Sequence, residues 1–582
     1  MICLIRPPAV ESFRISAASI TLPLGLAYVA AAIESAGFEL CVLDAVAEAP
    51  TEKTRYHTGY LVGLRAEELA ARIPKETTAI GMTVIFTHEW PVAVHLMRLI
   101  RAARPELPII LGGEHITSMP EFCLASSDAD YLVLGEGEET IVALLQALAT
   151  EGPLDDIAGL AYRSDSEAIQ VNPRRPRRRD VDDIAPPAWK YFDILTYNQH
   201  GFVEGLSVDG ITMTLLATRG CPYQCTYCSS PNMWTPRWIA RDAIQVVDEI
   251  EGYMKEYGAR NFLFQDLTAI VQKDWIVTFC KEVLRRELDI TWQLPHGTRS
   301  EAIDYEVAQL LKKTGMLTMS YAPESGSDRT RRLIKKKMKK ENLFASLDAA
   351  LQSDLYVMLF LIIGFPHDTE EDIAANLPFL REAAKHDVPD IVIGYYMALP
   401  GTPIFDSLYD AGKLRLDQDY FGHILQGLAL WPALSHNEHM SRLELTRWKL
   451  KMYLTFYGSR GEGGAARAIV SKRAGALRDV VSDNHQSRMA TAFRNGLQTI
   501  RDTVEVRFKK PWMSREDEDA LFAPWDEQYR SIRAQLQAKD CAMASPEDTE
   551  ELHKSNVVVE LRKVHGAGRT IEVPTSGQSA AI

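Results

Sequence analysis

From residue 211 to residue 397, short β-branched and apolar runs alternate with helical patterns, and this alternation constrains the fold more than any other feature of the chain. Strand-like segments fall at residues 211–218, 261–265, 290–294, 316–322, 357–363 and 391–397, giving six βα units in succession. Parallel neighbours need a crossover between them, so the pattern predicts a partial or open barrel with its chemistry at the carboxyl ends of the strands. The first crossover helix carries Ala243, Val247, Ile250, Met254 and Tyr257 on one face and stops at Gly258. A second such pattern occupies residues 1–150, with strands expected at 2–6, 39–44, 79–86, 108–112 and 130–134 and helices at 24–35, 91–103 and 138–149. That half reads as a doubly wound parallel sheet, which binds ligands at its strand ends.

The polar residues of the central repeat gather at predicted strand ends. They are Cys221, Cys225 and Cys228, then Gln265 and Asp266, His296 and Arg299, the run from Glu324 to Asp328, and Gly364-Phe365-Pro366-His367-Asp368. Three cysteines within eight residues converge readily on one metal centre. Structural zinc demands four protein ligands, whereas a cubane cluster held by three cysteines leaves one iron open. Asp266 and Arg299 read equally as cofactor contacts or as structural ion-pair partners. Cys280, with Ile276 and Val283 on its helical face, reads as core.

In the N-terminal half, the strand ends carry Thr83 and Thr87, then Gly112-Gly113-Glu114-His115, then Gly135-Glu136-Gly137-Glu138. Backbone can approach a large flat ligand there, although these glycines read equally as turn formers. His88 and His115 are expected at strand ends, facing solvent or ligand. The Gly135/Gly137 pair is no dinucleotide fingerprint, because Thr140 stands at the third glycine position. Residues 151–205 read as an extended linker, with Arg174, Arg175, Arg177, Arg178 and Arg179 either meeting an anionic group or pairing with nearby acids. The basic run 331–340 reads as a solvated helix face. Residues 411–540 read as helical; Trp448, Tyr453, Phe456 and Tyr457 suit core packing or a cap over the barrel mouth. Residues 541–582 are expected to be largely disordered.

The net charge of −14 and pI near 5.6 argue against a nucleic-acid or anionic-membrane partner and for a small-molecule or peptide substrate. Five of the eight cysteines are scattered, so no disulfide framework is expected. The amino terminus opens on a strand pattern without a leader, and no apolar run reaches the length of a membrane span, which makes a reducing cytoplasm the expected compartment.

Two resemblances follow. Pro23-Leu24-Gly25-Leu26-Ala27-Tyr28, Gly37-Phe38, Gly112-Gly113-Glu114-His115 and Gly135-Glu136-Gly137-Glu138 resemble the cobalamin (B12)-binding domain that precedes many radical S-adenosylmethionine (SAM) enzymes. The loop at residues 7–10 lacks the histidine that methionine-synthase-like domains give to cobalt, which implies a lower cobalt face without a ligand from that loop. The cysteine motif, with Glu324-Ser325-Gly326-Ser327-Asp328, Ile363-Gly364-Phe365-Pro366 and Leu399-Pro400-Gly401-Thr402-Pro403, resembles the radical SAM superfamily over residues 206–410.

The resemblance implies a [4Fe–4S] cluster on Cys221, Cys225 and Cys228, with SAM chelating the open iron. It places Tyr227 beside adenine, Glu324 as an acceptor for SAM unless it serves a rim ion pair, and Gly364, Phe365 and Pro366 along the adenosyl group. Thr83, Gly112, Gly113, Glu114, His115, Glu136 and Gly137 would contact cobalamin. One electron, from a donor such as flavodoxin or ferredoxin, would generate a 5′-deoxyadenosyl radical, and methylcobalamin would methylate an unactivated carbon. A ring-forming reaction of the anaerobic porphyrin cyclase type is the alternative, and a non-catalytic cofactor- or zinc-binding protein is the alternative of another class.

Overall fold

The computed structural model describes residues 1–12, 20–57, 59–164, 168–202, 205, 208–424, 427–429, 432–460, 501, 504–543 and 569–571. Its N-terminal sheet has five parallel strands, β1 (Ile2–Arg6), β2 (Leu40–Asp44), β3 (Ala79–Thr83), β4 (Ile109–Gly112) and β5 (Tyr131–Val133), in the order β2-β1-β3-β4-β5. Both faces are covered, which is why β1 and β4 are almost wholly apolar. The strand order reverses between β1 and β3, so the crevice outside their carboxyl ends is the topological switch point. β3 ends at Thr83, three residues earlier than its apolar run suggests. The chain then leaves the sheet with Ile85 38% and Phe86 43% exposed beside that crevice.

The stretch expected as a linker begins with a hairpin, β6 (Leu160–Arg163) and β7 (Ile169–Val171), which extends the same sheet antiparallel beyond β5. The second sheet contains β8 (Ile211–Leu215), β9 (Ala259–Phe264), β10 (Thr291–Gln293), β11 (Met316–Glu324), β12 (Tyr356–Ile363) and β13 (Asp390–Tyr395), each parallel to the next and in sequential order. This is the open six-unit barrel expected from the repeat. Alternation sorts its side chains: Met213, Leu215, Phe262, Phe264, Trp292, Met319, Tyr321 and Ile393 join the apolar core beneath the helices. Thr212, Thr214, Thr318 and Ser320 hold the alternate positions.

The helix Arg442–Ser459 answers the question about the C-terminal aromatics. Phe456 is fully buried and the Tyr453 hydroxyl accepts a hydrogen bond from the Ile393 amide at 3.1 Å, so these rings pack on the outer side of β13. The helices Arg515–Phe522 and Trp525–Met543 turn to the N-terminal sheet instead, where Trp525 and Tyr529 stand edge-on to Phe122 at 6.0 and 5.7 Å. A last strand, β14 (Arg569–Ile571), pairs antiparallel with β7. The remainder of the tail expected to be disordered, 544–568 and 572–582, lies outside the described residues. No helix among the described residues is long and apolar enough to cross a membrane.

Candidate functional site

The cysteine loop follows β8 and is built from backbone contacts. Gly220, at φ +89°, is required because an added Cβ would lie 2.2 Å from the Arg237 carbonyl. Asp266, at the end of β9, accepts hydrogen bonds from the Ala217 and Thr218 amides and the Thr218 hydroxyl, so it shapes the approach to the loop as a buried hydrogen-bond acceptor. The Thr226 amide donates to Ile334 O at 3.1 Å and the Ile404 amide to Thr226 O at 3.3 Å, pinning the loop between two later strand-end segments.

Cys221, Cys225 and Cys228 are free thiols. Burial raises all three above the ordinary thiol range, with Cys228 pushed up to about 12, where Glu114 and then the Cys225 and Cys221 sulfurs add to the effect. Among the described residues, only His57, Asp419 and His423 form a group of three metal-ligating side chains with donor atoms within 4.8 Å of one another. The loop supplies three thiols, the donor set of a cluster with one open iron rather than of structural zinc with its four protein ligands.

Glu324 closes β11 at a register irregularity and holds φ +65°, an uncommon conformation for a side-chain-bearing residue. That strain aims a buried carboxylate at the cysteine loop: its Oε1 accepts from the Tyr227 hydroxyl at 2.7 Å and from Lys336 Nζ at 2.9 Å. Burial pulls the Lys336 ammonium down, but Glu324 and the Cys225 sulfur outweigh it and leave its pKa raised. Lys336 belongs to the basic run expected on a solvated helix face, and the structure corrects that expectation. The helix stops at Leu333, Ile334 is fully buried, and the chain turns at Lys335, φ +54°, to point Lys336 inward. The apolar Leu333-Ile334 pair inside the basic run was the available signal. Arg299 adds a second cation, with its guanidinium 3.8 Å over the Tyr223 ring and ion-paired to Glu301.

Gly364, Phe365 and Pro366 form a turn after β12 around Asp368. Asp368 Oδ2 accepts from the Gly364 and Phe365 amides at 3.1 and 3.0 Å, and burial raises its carboxyl to about 6. The Phe365 ring stands edge-on to Tyr227 at 5.5 Å, bringing this turn to the cysteine loop.

The strand ends of the N-terminal sheet meet the other side of that loop. Glu114 accepts a hydrogen bond from the Ser229 hydroxyl, directly after Cys228. Glu136 is bound by Arg177 Nε at 2.6 Å and Arg219 Nη1 at 3.1 Å, and Arg219 Nη2 also donates to Glu138 at 2.7 Å. Arg219 is 4% exposed and lies 4.8 Å over the Tyr28 ring. The arginine-rich stretch is thus a strap paired with acids: Arg175 and Arg178 hold Glu139, and Arg177 also donates to the Trp234 and Arg237 carbonyls. Beneath it lies a cavity of about 380 Å³ lined by Tyr28, Gly135, Val142, Arg177, Arg219 and Met233 among others.

The remaining N-terminal candidates divide by their surroundings. Gly113, φ +125°, is fixed by sterics, since a Cβ would sit 2.3 Å from Val84 O, and Gly137 precedes the helix Glu138–Thr150. Thr83 and Gly112 are register partners at the ends of β3 and β4. His88 and His115 are buried rather than solvent-facing, and burial lowers both to about 3. His115 Nδ1 lies 3.2 Å from Thr87 Oγ1, while the Nε2 atoms of His88 and His115 and the Ser118 hydroxyl are buried without hydrogen-bond partners. Buried unpaired polar atoms near a crevice edged by exposed Ile85 and Phe86 fit a large ligand with apolar and hydrogen-bonding edges, such as cobalamin.

Comparison with known proteins gives the same two-part division. Residues 12–145 match the B12 binding domain and residues 215–380 the radical SAM superfamily. Cytidylyl-2-hydroxyethylphosphonate methyltransferase of Streptomyces wedmorensis is 28% identical over 65% of this chain and 77% of its own length. Anaerobic magnesium-protoporphyrin IX monomethyl ester cyclase of Cereibacter sphaeroides is 25% identical over 77% of this chain and 70% of its own. Among solved structures, the cobalamin-dependent SAM radical enzyme OxsB, with aqua-cobalamin and SAM bound, superposes with a TM-score of 0.59 at 15% identity, covering 90% of this chain and 83% of that one. The radical SAM methyltransferase TsrM from Kitasatospora setae, with cobalamin and a [4Fe-4S] cluster bound, gives 0.54 at 17% identity over 70% and 78%. At these identities the structural likeness establishes the fold.

Proposed function

Since the chain belongs to the radical SAM superfamily and carries a B12-binding domain ahead of its barrel, we propose that it is a cobalamin-dependent methyltransferase acting on an unactivated carbon. One observation carries this reading. The cysteine loop is docked on the strand ends of the N-terminal sheet through Ser229–Glu114 and Arg219–Glu136/Glu138, so both cofactor edges face one interior. When bound, the cluster supplies the electron that cleaves SAM and cobalamin carries the methyl group.

The chain's residues divide the remaining work. Cys221, Cys225 and Cys228 hold the cluster, and Lys336 and Arg299 offset its negative charge, a lever on cluster potential. Tyr227 would border the adenine of SAM, Glu324 would accept from its amino group, and Lys336, beside Glu324, would offset its carboxylate. The turn Gly364-Phe365-Pro366 closes the adenosyl side and excludes water. Thr83, Gly112, Gly113, Glu114, His115 and Gly137 border cobalamin, whereas Glu136 serves the interdomain ion pairs. Residues 7–10 contain no histidine to offer as a lower ligand of the cobalt. Residues 1–150 and 206–410 are the two cofactor-bearing domains, and an external one-electron donor reduces the cluster.

Anaerobically reconstituted protein should contain about four irons per chain. With substrate it should form both 5′-deoxyadenosine and S-adenosylhomocysteine, and Cys225→Ala should form no 5′-deoxyadenosine. Bound zinc in place of iron would overturn the reading. 5′-Deoxyadenosine without S-adenosylhomocysteine would favour ring formation, a second reading supported by the similarity to the porphyrin cyclase.

A further inference from the structure

We propose that His57, Asp419 and His423 form a site for a divalent transition-metal ion at the seam between the N-terminal region and the segment that follows the barrel. Asp419 and His423 stand four residues apart on the helix Gln418–His423, which puts both on one face. His57 reaches them from the turn after the strand Lys53–Tyr56, part of a small antiparallel sheet with Gly59–Val62 and Ala9–Ser12. Their donor atoms all lie within 4.8 Å of one another, with His423 Nε2 3.9 Å from Asp419 Oδ1 and the two imidazole centroids 6.3 Å apart. Coordination at 2.0–2.2 Å requires donors about 3.3 Å apart. The difference is within reach of side-chain rotation at residues that are exposed or half-buried.

The backbones presenting these ligands are firmly placed. The Arg55 amide donates to Lys510 O at 3.3 Å, the Trp512 amide returns to Arg55 O at 2.9 Å, and Tyr56 packs against Trp512. Across the seam, Asp417 caps the helix through the Tyr420 amide at 3.0 Å, the Tyr420 hydroxyl donates to Ala398 O at 2.8 Å, and Phe421 is fully buried. The Gln418 side-chain amide lies 3.2 Å from His57 Nδ1. With its carbonyl turned to that atom it would accept Nδ1–H and leave the Nε2 lone pair for a metal, the outer-shell arrangement typical of metal-bound histidine.

Two imidazoles and one carboxylate select zinc and its transition-metal neighbours over magnesium or calcium, and three protein ligands leave a position for water. Occupancy would tie the turn at His57 to the helix bearing Phe421, whose ring stacks on Phe122 and stands edge-on to His115. The metal would thereby brace the wall behind the strand-end histidines.

The test is equilibrium dialysis of the cluster-loaded enzyme against zinc chloride, with iron and zinc counted per chain. Cluster occupancy removes the three cysteines from competition. Wild type should bind one zinc that His57→Ala and His423→Ala do not bind at the same concentration, with iron unchanged. Asp419→Asn, which preserves shape, should weaken binding at least about tenfold. Zinc should also raise the Tm of wild type and not of the histidine variants. Equal zinc content in wild type and all three variants, or none in wild type at about 100 µM zinc, would overturn the proposal.

Discussion

Replacing Arg219 by methionine separates a buried clamp from an ordinary surface ion pair. The guanidinium is 4% exposed, holds Glu138 at 2.7 Å and Glu136 at 3.1 Å, and lies over Tyr28. After the replacement Glu136 keeps Arg177 at 2.6 Å, but among the described residues Glu138 retains no ion-pair partner, only the more distant charge of Arg178. Breaking a buried pair on one side costs about 3–5 kcal/mol, whereas replacing both partners by neutral groups costs far less. Arg219→Met should therefore lose about 3–5 kcal/mol of stability, and adding Glu138→Gln should return part of it, a coupling of about 1–3 kcal/mol in a double-mutant cycle. Burial alone would raise the Glu138 carboxyl, but Arg219 outweighs it and holds it below the ordinary value of 4.5. A carboxyl depressed on folding adds stability above its unfolded pKa and loses it as pH falls through the folded value. In Arg219→Met burial leaves that carboxyl raised instead, so its acid-induced loss should disappear and the deficit relative to wild type should narrow between pH 7 and pH 5. Urea unfolding of the four proteins at pH 7 and pH 5, with hydrogen exchange of the cysteine loop and the helix Glu138–Thr150, supplies the measurements. A coupling below about 0.5 kcal/mol with unchanged loop exchange would refute the clamp.

Two further outcomes follow from the buried groups. Lys336→Met should weaken SAM binding about 10- to 100-fold, the worth of one charged hydrogen bond, while Lys336→Arg retains most of it; equilibrium dialysis with the cluster loaded checks this. His88 and His115, lowered to about 3 by burial, stabilise the fold above the unfolded histidine pKa of 6.5 and lose that contribution as pH falls. Each contributes about 2 kcal/mol of loss between pH 7 and pH 5. The His115→Gln variant should accordingly show a visibly shallower pH dependence of its urea midpoint than wild type.

The sequence carries whatever depends on periodicity. All six barrel strands and five N-terminal strands fall where alternation and turn residues place them. Errors arise where tertiary contacts decide. The run 79–86 reads as one strand because Val84, Ile85 and Phe86 are apolar, yet the last two leave the sheet. β6 and β7, of four and three residues, are too short to register beside a proline- and arginine-rich stretch. Asp266 reads either way in the sequence because two of its three donors are backbone amides, which have no letter there. Lys336 is legible only in part: the apolar Leu333-Ile334 pair marks a segment that turns inward, but no residue of the run distinguishes one lysine from the next.

The pairing of β14 with β7, and of Trp525 and Tyr529 with Phe122, also sets an order of events during synthesis. At about 5–20 residues per second, roughly 20–80 s separate the emergence of the N-terminal strands from that of the segments that cover them. Throughout that interval the sheet edge at β7 is unpaired and the apolar surface around Phe122 is bare. An unpaired strand edge and a bare apolar surface are the features through which a partly synthesised chain aggregates, and the later segments remove both.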